Sequence, residues 1–143
     1  MKKIGEFTVR GTMGESSTAI GGDREKIQLF DGRFDTAYKV TEFYVWALDT
    51  ECHGTLLTDE NYNLPMMDAS KNEQIAWATG TTSGNGPLPN GIVDPDNLIV
   101  EDLYIMGYAT TTSQPWNYMI RLEKYDISEW QGALAVVKNA SQG

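Results

Sequence analysis

The chain has 143 residues, 41% of them hydrophobic and 22% charged, with 20 acidic against 11 basic side chains and a net charge of −9. That length fits one domain with a single core of two packed layers, and that composition argues against a chain disordered throughout. Residues 1–39 carry a net charge of +1 and residues 40–143 carry −10, so no Lys and Arg cluster exists to meet nucleic-acid phosphates or an anionic membrane.

The opening Met1-Lys2-Lys3 resembles the basic start of a signal peptide, but Gly5, Glu6, Thr8 and Arg10 break any apolar run behind it. The longest apolar stretch, residues 43–48, is far too short to span a bilayer. The expectation is a protein made in the cytoplasm that engages neither membrane nor nucleic acid. Residues 1–23 read as an N-terminal arm. Ile4, Phe7 and Val9 form the apolar side of an edge strand, and residues 11–22 follow with four glycines among small polar side chains, which are costly to order without a partner. Residues 24–143 read as the domain itself.

Within that domain, residues 24–31 alternate with Ile27 and Leu29 on one face, and Asp31-Gly32 signals a hairpin turn. Residues 36–48 give the longest strand pattern. Strict alternation puts Tyr38, Val40, Tyr44, Trp46 and Leu48 on one face and Ala37, Phe43, Val45 and Ala47 on the other, as expected of a central strand. Two shorter strands, 52–57 and 73–79, flank a polar loop at 58–72. A second break, 80–97, is dense in Gly, Pro, Asn and Asp. Strands follow at 97–109 and 116–125, the second with Trp116, Tyr118, Ile120 and Leu122 on one face and Asn117, Met119, Arg121 and Glu123 on the other. The last element changes period. Trp130, Ala133, Leu134 and Val137 make a helical stripe, and Ser128 with Gln131 matches a capping box, so a helix is predicted over residues 128–139. Short strands, turn-rich loops and one helix predict a mainly β protein, an antiparallel β-sandwich of jelly-roll type closed by one short C-terminal helix.

Chemistry-bearing motifs are scarce. Cys52 and His53 are the single representatives of their kinds, which rules out an internal disulfide and any zinc site needing several such ligands. On a strand the two would point to opposite faces, so they make no nucleophile-base pair. The carboxylate pairs Asp94 with Asp96 and Glu101 with Asp102 are available to a glycosidase, and Asp94-Pro95-Asp96-Asn97 resembles the start of a calcium loop. That loop lacks the glycine and distal glutamate of an EF-hand, and a plain turn is the favoured reading. Trp46 and Trp77 fit a core; Trp116, at a strand start behind Pro115, is either core or a stacking platform for a sugar or neighbouring subunit. No catalytic, cofactor-binding or metal-ligating residue is assigned, and the chain is expected not to be an enzyme.

Four segments carry a resemblance: Lys26-Ile27-Gln28-Leu29-Phe30-Asp31-Gly32-Arg33-Phe34, Asn72-Glu73-Gln74-Ile75-Ala76-Trp77-Ala78, Asp94-Pro95-Asp96-Asn97-Leu98-Ile99-Val100-Glu101-Asp102-Leu103-Tyr104 and Asn117-Tyr118-Met119-Ile120-Arg121-Leu122-Glu123-Lys124-Tyr125. With the ending Gly132-Ala133-Leu134 to Ser141-Gln142-Gly143, they resemble a family of small virion structural proteins of marine bacteriophages. The resemblance implies a protein of the capsid surface that decorates or cements the shell. Its implied partners are the major capsid protein or other virion proteins and its own copies, with a trimer among the expected assemblies. It implies no catalytic residues. A neck, tail or fibre-anchoring protein and a carbohydrate-binding module are the alternatives.

Overall fold

The fold is described from a computed structural model over residues 1–13, 23–47, 54–60, 67–79, 91–107 and 116–128. Eight strands run in chain order: β1 (Lys2–Met13), β2 (Asp23–Ile27), β3 (Thr36–Ala47), β4 (Gly54–Thr58), β5 (Gln74–Thr79), β6 (Ile92–Val93), β7 (Leu103–Gly107) and β8 (Trp116–Asp126). They form two antiparallel sheets, one ordered β1-β8-β3 and the other β2-β7-β4-β5-β6. No helix occurs among the described residues, and the helix predicted over 128–139 lies outside them beyond Ser128.

The sheets face one another across one core. β8 alternates as its sequence dictates: Trp116, Tyr118, Ile120 and Leu122 are buried, while Asn117, Met119, Arg121 and Glu123 are half-buried on the opposite face. Against the buried face pack Ile27, Leu57, Ile75, Leu103 and Ile105 from the five-stranded sheet and Val40, Phe43 and Val45 from β3. Roughly 1.5–3 kcal/mol for each large aliphatic or aromatic side chain buried makes this core the main stabilising term.

The middle strand of the three-stranded sheet is β8, which pairs with β1 on one side and β3 on the other. The 36–48 strand, expected to be central, has a full ladder on one side and only the scattered bonds of residues 91–99 on the other. Its face assignment is corrected. Thr41 is an extra residue between the pairs Val40–Leu122 and Glu42–Arg121, and such a bulge reverses the alternation beyond it. Val40, Phe43 and Val45 therefore all point into the core, whereas Tyr44 and Trp46 share the outer face with Met119 and Asn117. Strand patterns with apolar residues on both faces conceal a shift of this kind.

Two further expectations fail for one reason, which is that the chain changes sheets. β2 and β3 do not form a hairpin; they belong to different sheets. Asp31 still makes the turn, its Oδ1 accepting from Arg33 N at 3.0 Å beside Gly32 at φ 86°, but the turn serves a crossing. The strand predicted over 97–109 is likewise divided. Ile99 pairs with Tyr38 of β3, through N–H···O bonds of 2.7 and 2.8 Å in the two directions, and β7 starts only at Leu103, in the other sheet. β6, within the 80–97 stretch read as a break, pairs with β5, while Gly91 N just before it donates to Phe43 O of β3 at 2.7 Å. Residues 91–99 thus touch both sheets. A small second core, Ala37, Leu98, Val100 and Ile127 with Tyr125 against it, covers the outer face at that end.

One carboxylate fixes the crossing after β2. Asp102 Oδ1 accepts from Leu29 N at 3.0 Å and Phe30 N at 3.1 Å, and Oδ2 meets Lys26 Nζ at 3.2 Å. Burial pushes this carboxyl up, but the two amide bonds and the Lys26 ammonium together outweigh burial and hold it below the ordinary 3.8. A carboxyl depressed in the folded state stabilises the protein above its unfolded value and loses that contribution as pH falls through its folded value. Asp102→Asn is therefore expected to lower stability by about 1–2 kcal/mol at pH 7. In urea unfolding the difference from the unsubstituted protein should shrink well below pH 3.8; a gap that persists undiminished in acid would rule out the charged anchor.

Candidate interaction surface

The chemistry-bearing residues singled out in the sequence do not converge. Cys52 and His53 lie outside the described residues. Asp94 builds a turn: its Oδ1 accepts from Asp96 N at 3.0 Å, and its carbonyl accepts from Asn97 N at 3.2 Å and Asn97 Nδ2 at 2.7 Å. Asp102 anchors the β2–β3 crossing, while Glu101 beside it is exposed. Among the described residues no group of three or more His, Cys, Asp or Glu side chains is placed to hold a metal ion. Trp116 is 2% exposed and packs against Gly107 of the facing sheet, so it belongs to the core and offers no stacking platform. Trp46 and Trp77 are half-buried, Trp77 with its Nε1 donating to Gln74 Oε1 at 2.7 Å.

What the structure does present is an edge. Among the described residues β1 pairs only with β8. From Lys2 to Thr12 every residue is exposed except Gly5, Val9 and Gly11, which are half-buried. Register with β8 explains the pattern. Gly5, Phe7, Val9 and Gly11 stand opposite Lys124, Leu122, Ile120 and Tyr118, on the core side, while Glu6, Thr8, Arg10 and Thr12 share the outer side with Glu123, Arg121, Met119 and Asn117. The single irregularity falls between Lys3 and Gly5 and leaves Ile4 as the extra residue. Phe7 points to the core side yet stays 47% exposed, and Ile4 is 49% exposed. A long row of unpaired strand donors and acceptors flanked by apolar side chains is a template for another strand.

Aromatic residues extend this edge. The Phe7 ring lies 6.2 Å from that of Tyr38, and Lys124 Nζ sits over the Tyr38 ring at 5.4 Å. Lys124 also donates to Asp31 Oδ2 at 3.1 Å, which ties the 28–35 connection to β8. On that connection Phe30 and Phe34 pack at 5.1 Å, and Phe34 is 57% exposed. The hydrogen bond from Lys124 holds the Asp31 carboxyl below its ordinary value, and Asp31 in turn raises the Lys124 ammonium above its own. On the outer face Lys3 bridges Glu6 and Glu123, and Arg121 reaches Glu6 and the Thr8 hydroxyl. Bonds to Glu123 and then Glu6 raise Lys3, and Lys3 lowers both carboxyls. These pairs are solvent-exposed and orient side chains more than they stabilise the fold.

Charge divides the molecule along its strands. The connections 28–35, 59–73 and 94–102 all join strands at the end where Lys2 faces Asp126, and they hold ten carboxylates against two basic side chains. Half the acid of the chain therefore sits at one end, and two such ends repel each other. The sequence shows Ile4, Phe7 and Val9 as the apolar side of an edge strand but not the exposure of Phe7, which has the inward parity of a core residue. Its exposure depends on being at the border of the sheet. The run Glu6, Thr8, Arg10, Thr12, with glycines at 5 and 11 on the other parity, was the signal that the strand continues to Met13. Searches of protein-family models, curated proteins and solved structures find no match to this chain.

Proposed function

We propose that this chain is a phage virion structural protein, built as a jelly-roll β-sandwich, that decorates or cements a capsid through contacts with the major capsid protein and its own copies. The observation that carries this reading is the exposed β1 edge, with Ile4 and Phe7 open along it. Such a strand is a liability for a solitary molecule and a joint in an assembled one. The jelly-roll part is supported by strand order. β2-β7-β4-β5 is one four-strand layer, and β1-β8-β3 becomes the other when residues 91–99, bonded to Phe43 and Tyr38, are counted as its fourth strand. The resemblance carried by residues 24–143 supports the virion part. In this role the protein would be made in the host cytoplasm and incorporated at the capsid surface. It would act mechanically, burying surface across subunit junctions so that many modest contacts on one lattice add up.

Particles purified from the source, analysed by quantitative mass spectrometry and cryo-electron microscopy, test this. The expected result is a copy number matching that of the shell subunits, with density spread over the capsid. A few copies at one vertex would move the protein to the neck, tail or fibre base. Absence from particles would overturn the virion reading. A carbohydrate-binding role loses its best residue, because Trp116 is enclosed between the sheets.

A further inference from the structure

We infer that two copies of this chain join through β1, antiparallel, about a twofold axis at Thr8, making one continuous six-stranded sheet. This deepens the assembly reading above and rests on it for the purpose of the dimer, not for its existence. From Gly5 to Met13 the strand pairs with β8 without a bulge and contains no proline, so its free side is regular enough to accept a partner strand. A second copy is the occupant that this edge fits by charge. With the axis at Thr8, Glu6 of each copy stands opposite Arg10 of the other, giving two attractive pairs on the outer side. Phe7 stands opposite Val9, and Gly5 opposite Gly11, on the core side. Arg10 is exposed and makes no ion pair among the described residues, so its charge is available.

Other registers are worse. Moving the axis by two residues sets Glu6 against Glu6 or Arg10 against Arg10, and like charges directly opposite destabilise a strand pair. Moving it by one residue forfeits both ion pairs, setting Glu6 opposite Thr8 and Arg10 opposite Ile4, or Arg10 opposite Thr8 and Glu6 opposite Thr12. Moving it by half a residue sets core-side positions opposite outer ones, so the two cores fall on opposite sides of the joined sheet. Antiparallel pairing also sends the two acidic ends in opposite directions, whereas parallel pairing would put them side by side. Closure follows from symmetry: each copy uses its single β1 edge, so the dimer leaves no β1 edge to propagate a fibre.

Sedimentation equilibrium on the full chain tests the contact, with circular dichroism confirming that each variant is folded. The expected result is a concentration-dependent dimer that Arg10→Glu weakens about tenfold and that the double exchange Glu6→Arg with Arg10→Glu restores. In a Cys52→Ser background, Thr8→Cys should give a disulfide-linked dimer under mild oxidation, because only the residue on the axis faces its own copy, at about 5 Å between Cβ atoms. Thr12→Cys should not, since Thr12 faces Ile4. A monomer at all concentrations, a trimer, or a dimer indifferent to both Arg10→Glu and Thr8→Cys would overturn the inference. None of these would disturb a finding that the protein coats particles, so the two readings fail separately.

Discussion

Gly107→Ala is expected to destabilise the protein by about 3 kcal/mol, near the upper end of what overpacking a core costs. Gly107 closes β7, opposite Asp23 of β2 and Thr55 of β4, and its open face receives the Trp116 indole from the other sheet. A methyl group there would overlap the six-membered ring of the indole, with Cε2 and Cη2 at 2.9 and 3.0 Å as well as the nearer Cζ2. The tryptophan has little room to retreat. It is 2% exposed and begins a strand held between β1 and β3. Relief should come from the ring. Trp116→Phe removes the overlapping atoms, and it abandons no hydrogen bond to the described residues, among which the buried Trp116 Nε1 has no partner. In urea unfolding the double variant should therefore be less destabilised than the sum of the two singles by at least about 1 kcal/mol. Simple additivity would mean that the two residues do not meet.

Asn97→Ala should cost about 3–4 kcal/mol, from a side chain that does the job of backbone. Asn97 is 2% exposed, and its amide closes a two-way bridge with the bulged strand: Val40 N donates to Oδ1 and Nδ2 donates to Val40 O, each at 2.8 Å. Nδ2 also donates to Asp94 O at 2.7 Å. Alanine would leave both polar groups of Val40 unpaired where the bulge has already removed one ladder position. Asn97→Asp separates the roles of the two atoms. It keeps the acceptor for Val40 N but turns an oxygen toward two carbonyls, so the folded state should raise that carboxyl above its unfolded value. The variant should then be least stable at neutral pH and recover as pH falls through the folded value, when the acid becomes a donor again. Asn97→Asp unfolding with no pH dependence beyond that of the unsubstituted protein would contradict this bridge. Hydrogen exchange at the Val40 amide offers a second check, with protection lost in both variants.

The legibility of this fold in the sequence followed the regularity of its strands. β8 could be read residue by residue because nothing interrupts its alternation. β3 could not, because Thr41 is inserted silently: the bulge depends on Asn97, 56 positions further along, reaching back to Val40. The same distance effect hid β6 and the division of the 97–109 strand. Turn-forming residues at 94–97 are visible in sequence, but the side of the molecule on which the chain emerges is decided by Asp102 and by pairing with Tyr38. The candidate surface was legible only in part. Ile4 and Phe7 were visible as an apolar edge, yet their exposure depends on which strand stands at the border, and that is a property of the whole sheet.

Among the described residues the first strand has the last one as its partner: Lys2 meets Asp126 and Met13 meets Trp116. During synthesis β1 therefore waits until residues 116–126 have left the ribosome, and β3 waits for the same strand, so one of the two sheets forms only once β8 has emerged. Until then Ile4, Phe7 and the rest of β1 are exposed in a crowded setting where other unfinished copies present the same segment. Late, non-local pairing of this kind folds slowly and favours encounters between chains. Output from the cell should accordingly be limited by the interval between emergence of β1 and completion of β8, and slower elongation should lengthen that interval and lower the yield of correctly folded protein.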